Sequence, residues 1–438
     1  MKVWIHIGKQ LLNSWRSQLA IGIELVLVFG VTWYMVNYFF VEIYNDHLPA
    51  GYEVDQVYQV RMTTLPAEDP AFQPAEEDTL HMQTNLQRVM DRIRAYPGVQ
   101  SVGVSYGCSS WPYADCWNGN EVVNLSDTTR TTQVCQYCIH ERSQFLEVFR
   151  YRSAVDGQLV RTEAFDWNDP HAVLITRQVE KDLMGEEVPA GASIGLKIQF
   201  SWSDTDHYLE IKGVLQDVKP FPDYLPQGYI FLPNGNNPQS VDDHGFFLRI
   251  DPKVAGAAFQ QRFELDMARE LRMGNLLLHS VQNFDDLLRE HNLSWGNTYN
   301  WNIRVLLLGF LSLNILLCVM GTFWYRVSQR QGEIGLRMAL GSTRGQVRRW
   351  LLCEGLCLLL FVTPVALFIE MQLAVAGFVD LPVSNPPAGY LPGIAWLRFL
   401  LTNLISWFLL AGVICLAIWL PATRAANEHP AVALGHDI

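Results

Sequence analysis

Four long apolar segments, one near the start of the chain and three near its end, constrain its fold most. They cover residues 19–41, 304–325, 351–379 and 397–420. A helix of about 23 residues is about 35 Å long, which is enough to cross the roughly 30 Å hydrocarbon core of a bilayer. The sequence therefore predicts an α-helical membrane protein with four transmembrane helices, arranged as one plus three, and a large mixed α/β domain between them.

Charge is divided unevenly between these parts. Residues 42–303 carry 37 acidic and 20 basic side chains, a net charge of −17, whereas the rest of the chain carries 7 acidic and 12 basic side chains. Arginine is concentrated at residues 326–350, between the second and third apolar segments, and such an excess marks the cytoplasmic side of a membrane. The pattern predicts cytoplasmic termini and an extracytoplasmic acidic domain. It excludes a nucleic-acid binder, because no basic patch with interleaved aromatic residues occurs.

The remaining segments complete this topology. Residues 1–18 have the pattern of an amphipathic helix on the membrane surface. The apolar segment 19–41 is longer than the core of a signal peptide and no small-residue cleavage site follows, so we expect it to stay as an anchor. Residues 380–396 are predicted to form a short outer loop, and residues 421–438 a cytoplasmic tail.

The connector at residues 326–350 has its own predicted structure. Glu333 and Arg337 are spaced as an i,i+4 ion pair, and Gly341 suits the position that follows a helix. Thr343 and Gln346 have the spacing of a capping box that starts the next helix. We therefore predict a short helix, a tight turn and a second helix that enters the membrane. The short helix is too apolar for a freely solvated loop, which indicates docking into a groove on another protein.

This connector resembles the signature of FtsX/MacB-type ABC transporter permeases. The resemblance runs over residues 330–342 as R-Q-x-E-I-G-L-R-x-A-L-G-S, and weaker matches occur at 97–102 (P-G-V-x-S-V) and 421–434 (P-x-x-R-A…P-x-x-A-L). In that family the short cytoplasmic helix couples the permease to its ATPase. The residues matched to this role are Arg330, Glu333, Ile334, Gly335, Arg337, Ala339, Leu340 and Gly341.

The resemblance implies a permease subunit in the bacterial inner membrane, with residues 42–303 as a periplasmic MacB-like core domain. Its expected partners are an ABC ATPase subunit, a second permease chain, identical or different, and membrane lipid; a periplasmic adaptor or outer-membrane component is a further candidate. ATP and Mg²⁺ would bind the ATPase, since this chain has no phosphate-binding loop and no recognisable catalytic, cofactor or metal motif. The expected output is efflux, lipoprotein release or control of a periplasmic partner.

Four cysteines lie in residues 107–150, which we predict to be an inserted subdomain: Cys108, Cys116, Cys135 and Cys138. An even number of cysteines in an oxidising compartment favours structural disulfides. Two alternatives are a redox site formed by Cys135 and Cys138, and a zinc site formed by all four.

Two other functions fit parts of this pattern. The cysteines suit a membrane-anchored periplasmic thiol-redox protein, and the topology suits a ligand-sensing receptor without an ATPase. Glu24, Glu354 and Glu370 lie in the apolar segments, where we expect carboxylates to lie near the interfaces or within the helix bundle.

Overall fold

The computed structural model describes residues 15–106, 119–140, 142–203, 207–222, 224–233, 244–329, 331–376 and 395–427. The chain divides into two compact units. The helical unit contains the two ends of the chain, up to Tyr44 and from Gly296 onward, and the sheet unit is Asn45–Trp295.

Helices and strands are numbered along the chain. The α-helices are α1 Trp15–Asp46, α2 Thr79–Ala95, α3 Phe145–Val148, α4 Arg177–Met184, α5 Ala257–Glu270, α6 Phe284–Ser294, α7 Asn297–Gln329, α8 Gln331–Ala339, α9 Arg344–Val375 and α10 Ala395–Asn427. The strands are β1 Val57–Thr64, β2 Val99–Tyr106, β3 Gly119–Asn124, β4 Asp127–Ile139, β5 Ala172–Thr176, β6 Lys197–Phe200, β7 Leu209–Leu215, β8 Tyr229–Pro233, β9 His244–Ile250 and β10 Leu276–Asn283.

The strands of the sheet unit form one mixed sheet in the order β10-β1-β9-β2-β4-β3-β6-β7-β5-β8. An additional parallel pairing between β4 and β8 joins its last strand back to its middle, so that β3 to β8 form a closed ring of six strands. Closure leaves no unpaired edge in this ring, because every strand has two neighbours. The other four strands form an antiparallel extension attached through β2 and β4.

Alternating apolar residues place three cores in the sheet unit. One lies between the four-stranded extension and helices α2 and α5, where Val89, Ile93 and Phe263 pack against Val60 and Leu248. A second core consists mainly of the aliphatic side chains of β3 to β8. A third core is rich in aromatic side chains. The two-residue period of the strands thus presents one set of side chains to each core.

Local sequence patterns predict several of these elements. The helical spacing of apolar residues at 79–95 predicts a helix, and the residues at 99–106, 172–176 and 229–233 are predicted to form strands. The structure confirms all four, as Thr79–Ala95, Val99–Tyr106, Ala172–Thr176 and Tyr229–Pro233. The sequence signals of these elements are strong because turns bound the apolar repeats, such as the turn at Gly98, whose φ is +92°.

Three expectations differ from the structure. Residues 119–139 are not part of a separate inserted subdomain, since β3 and β4 lie inside the ten-stranded sheet; residues 107–118 lie outside the described residues. The alternation of apolar residues predicts a first strand from Tyr52 to Met62, but the strand begins at Val57, because Gln56 has a φ of 62° and interrupts the extended backbone. The sequence also predicts a helix from Val281 to Asn292, but residues 276–283 form β10, because pairing with β1 outweighs the local periodicity.

Among the described residues, four helices are long and apolar enough to cross a membrane: Gly22–Asp46, Asn297–Gln329, Arg344–Val375 and Trp396–Arg424. Each overlaps one of the predicted segments. The predicted surface helix at 1–18 and the outer loop at 380–396 lie almost entirely outside the described residues. The predicted tail starts later than expected, because α10 continues through Pro421 to Asn427.

Candidate functional site

The connector is a helix, a turn and a capped helix, as the sequence predicts. Arg337 donates a hydrogen bond of 2.6 Å to Glu333 within α8. Gly341 has a φ of +98°, which glycine adopts without strain, and it lies two residues after the end of α8. Helix α9 then starts with a complete capping box, in which Thr343 and Gln346 each bond the backbone of the other. The turn and the capping box therefore fix the direction of α8 relative to the start of α9.

The structure separates the signature residues into two groups. Ile334 and Gly335 are buried, and Ile334 packs in the apolar core of the helical unit. Ala339, Leu340 and Gly341 are exposed. Arg330 lies outside the described residues. Gly335 is covered by other parts of this chain, and its role in coupling stays a prediction.

Leu336 is the residue that sequence reasoning missed. Its side chain is 52% exposed, and that of Leu340, one helical turn later, is 80% exposed. Residues four apart lie on the same side of a helix, so the two leucines form one apolar surface. The spacing was visible in the sequence, but the opposite, buried side of α8 was not.

Arginine and tryptophan side chains fasten the connector and the neighbouring helix ends. The guanidinium carbon of Arg337 lies 4.0 Å from the ring centre of Trp350. Arg348 lies 5.6 Å from the ring of Trp419, and Arg424 lies 4.8 Å from the ring of Trp324. These cation–π contacts join α8 to α9, α9 to α10 and α10 to α7. A displacement of α8 would therefore be passed to three long helices.

Tryptophans also mark the two ends of the apolar helices. Trp301 and Trp324 bracket α7, and Trp396 and Trp419 bracket α10; all four side chains are exposed. In each helix the pair is 23 residues apart, which corresponds to about 35 Å. Exposed tryptophans at this separation are typical of the two interfaces of a bilayer.

Buried polar side chains cluster toward the other end of this bundle. Trp33 donates a hydrogen bond of 3.0 Å to the hydroxyl group of Thr402, joining α1 to α10. Glu370 is fully buried in α9, with the side-chain amide of Asn403 on α10 as its polar neighbour. Glu354 is also buried in α9, nearer the connector. Both carboxyl groups thus lie within the bundle, one of the two placements expected.

The predicted cysteine chemistry is limited by strand geometry. Cys135 and Cys138 lie three residues apart on β4, so their side chains point to opposite faces and pack in different cores. Their Cα atoms are about 10 Å apart in an extended strand, too far for a disulfide or for shared coordination of one zinc ion. Cys138 is a free thiol whose pKa is raised by burial. Cys108 and Cys116 lie outside the described residues, and the predicted two-disulfide set is not observed within them.

Comparison with known proteins gives distant similarities only. No family model and no curated protein matches the chain. A domain of a protein described as a permease, from Porphyromonas gingivalis, is similar with 16% identity, covering 54% of this chain and 92% of that chain at a TM-score of 0.33. The periplasmic region of MacB from Actinobacillus actinomycetemcomitans is similar with 12% identity, covering 55% and 94% at a TM-score of 0.33. Similarity at this level does not establish a shared family.

Proposed function

We propose that this chain is the membrane subunit of an ABC transporter of the FtsX/MacB type. In this proposal a separate ATPase binds the connector, and ATP-driven movement is transmitted through the long helices to an extracytoplasmic domain. A second permease chain completes the assembly. The output is efflux, lipoprotein release or control of a periplasmic partner.

One observation carries this proposal: α8 is fixed to its own unit on one side and exposes two leucines on the other. Ile334 in the core and Arg337 against Trp350 fix the helix. Leu336 and Leu340 remain available to a groove on a partner. A helix that only closed a loop would need the first feature and not the second, because exposed leucines gain nothing from water.

Charge and aromatic residues support the membrane orientation. The exposed tryptophans of α7 and α10 fit two bilayer interfaces, and the arginines of 326–350 lie at one of them. We therefore infer that the connector faces the cytoplasm of a bacterial inner membrane and that the acidic sheet unit is periplasmic.

The decisive experiment purifies the full chain from bacterial membranes in mild detergent and measures how much ABC ATPase is captured with it. Replacing Leu336 and Leu340 together with serine should reduce capture more than tenfold, because burying each leucine contributes about 1.5–3 kcal/mol. Leu265→Ser is the matched control, since Leu265 is also 80% exposed but lies on α5 of the sheet unit. Equal capture by the wild type and the double variant would contradict the coupling role.

A second control tests the capping box without touching the leucines. Gln346→Ala removes one half of the box and should cost about 0.5–1 kcal/mol locally while leaving ATPase capture largely unchanged. Gly335→Leu is a less specific test, since Gly335 is buried and a larger side chain there would disturb packing within this chain.

The two alternative functions fit the geometry less well. A redox pair at Cys135 and Cys138 requires neighbouring sulfurs and a stabilised thiolate, whereas these side chains lie on opposite faces and burial raises the pKa of Cys138. A receptor without an ATPase leaves the exposed leucines of α8 without a role. Wild-type protein that captures no ATPase in the experiment above would favour the receptor.

A further inference from the structure

We infer that the connector end of α10 holds the headgroup of an anionic phospholipid from the inner leaflet. This inference rests on the proposed membrane orientation but not on the ATPase. It concerns Arg348 and Arg424. Their stacking on Trp419 and Trp324 joins neighbouring helices, but the proposed coupling mechanism assigns no binding partner to their N–H groups.

The site starts from an exposed apolar strip on α10. Leu416, Trp419 and Leu420 are 65%, 52% and 61% exposed. At about 100° per residue these side chains and that of Arg424 fall within an arc of about 140°, so they share one face of the helix. In a bilayer this face contacts acyl chains.

Two guanidinium groups flank that strip on opposite sides. Arg424 lies over the ring of Trp324 on α7, and Arg348 of α9 lies over the ring of Trp419. Along α10, Arg424 and Trp419 differ in height by about 7.5 Å, so Arg424 and the ring that Arg348 covers lie about one and a half helical turns apart. The two cations therefore lie beside the same lipid-facing surface, near the end of the span.

Both guanidinium groups keep free donors. Stacking on a tryptophan uses the flat face of a guanidinium and leaves its edge N–H groups available for oxygen acceptors. Within the described residues neither arginine forms a hydrogen bond or an ion pair, and Glu333, the carboxylate of the connector, is paired with Arg337. A phosphate ester supplies the missing negative charge, and its acyl chains match the apolar strip.

The test compares lipids that remain bound to the full chain. The protein is reconstituted into nanodiscs with equal amounts of phosphatidylglycerol and phosphatidylcholine and re-extracted in mild detergent, and the retained lipids are quantified by mass spectrometry. The wild type should be enriched in phosphatidylglycerol, and each arginine should account for about fivefold of that enrichment. The double variant Arg348→Gln with Arg424→Gln should retain the two lipids in nearly equal amounts.

Arg349→Gln is the matched control. It removes the same charge from the neighbouring, exposed position of α9, so it should leave the enrichment almost unchanged. An equal loss in this control would overturn the inference, since it would indicate a general effect of positive charge. Unchanged enrichment in the double variant would also overturn it.

Other outcomes separate the remaining possibilities. Loss of ATPase capture by the double variant with lipid enrichment intact would assign these arginines to a protein partner and overturn the lipid site. Displacement of the bound lipid by millimolar inorganic phosphate would point to a soluble anion and overturn it as well. Wild-type protein that fails to insert into nanodiscs would refute the membrane orientation itself, a failure that differs visibly from loss of lipid preference.

Discussion

The two units of this protein treat buried charge in opposite ways. In the sheet unit, Arg249 is 3% exposed and donates to three backbone carbonyl groups, those of Val148, Glu53 and Asp55, at 2.6, 2.6 and 2.9 Å. In the helical unit, Glu370 is 0% exposed, and its polar neighbour, the side-chain amide of Asn403, already donates a hydrogen bond to the backbone carbonyl of Phe399. Arg249 thus stabilises the backbone around it through hydrogen bonds, whereas Glu370 is buried with little hydrogen bonding.

Glu180 repeats the pattern of the sheet unit. It accepts hydrogen bonds from the backbone N–H and the hydroxyl group of Ser193, from the backbone N–H of Gly191, and from Arg177. Loops carry backbone groups that lack partners in regular structure, and a buried charge can satisfy several at once. Helices satisfy their own backbone, so a buried carboxyl group in a helix bundle finds few donors. The comparison indicates that Arg249 and Glu180 stabilise the sheet unit, whereas Glu370 costs stability in the helical unit.

The largest expected effect comes from Arg249→Met. The variant keeps an apolar stem but leaves three carbonyl groups without their donor, so the sheet unit should lose about 3–5 kcal/mol. Thermal unfolding of the purified full chain, followed by tryptophan fluorescence, would measure the loss. Burial lowers the pKa of Arg249 to about 10, so the comparison is best made near pH 7, where the group is charged. A loss below about 1 kcal/mol would contradict the structural role.

Glu180→Gln should have a smaller effect that depends on pH. Burial raises the pKa of Glu180, but the hydrogen bonds from Ser193, Arg177 and Gly191 outweigh it and hold the pKa below its ordinary value of 4.5. A lowered carboxyl pKa adds stability above the unfolded value and loses it as the pH falls through the folded value. The variant should therefore be about 1–3 kcal/mol less stable at pH 7. The gap from the wild type should narrow below pH 4.5; a constant gap would contradict this account.

The smallest effect, and the one with opposite sign, is expected for Glu370→Leu. Removing a buried carboxyl group whose neighbour Asn403 keeps its own hydrogen bond to Phe399 should raise the stability of the helical unit by about 1–2 kcal/mol. The measurement is the midpoint of thermal unfolding in mild detergent, with Leu367→Ala, at a half-buried position one turn earlier on α9, as the packing control. A loss of stability similar to that of Arg249→Met would erase the contrast between the units.

Local sequence signals determined much of the connector. The charge spacing of Glu333 and Arg337, the glycine at 341 and the capping pair of Thr343 and Gln346 act over four residues or fewer, so they can be read without knowing the fold. The same holds for the apolar helices and for α2, whose periodicity is strong and uninterrupted. Propensity and periodicity are local quantities, and they succeeded where local terms dominate.

Tertiary structure decided everything that depends on distant partners. Only packing shows that Ile334 and Gly335 face inward and Leu336 outward. Only the fold shows that β4 pairs with three other strands, β2, β3 and β8, and that Cys135 and Cys138 lie on opposite faces of β4. The Arg348–Trp419 contact likewise joins residues 71 positions apart. The sequence by itself determined which segments are helical and apolar, because that follows from neighbouring residues. Which faces are covered followed only from the fold, because burial depends on residues remote in the chain.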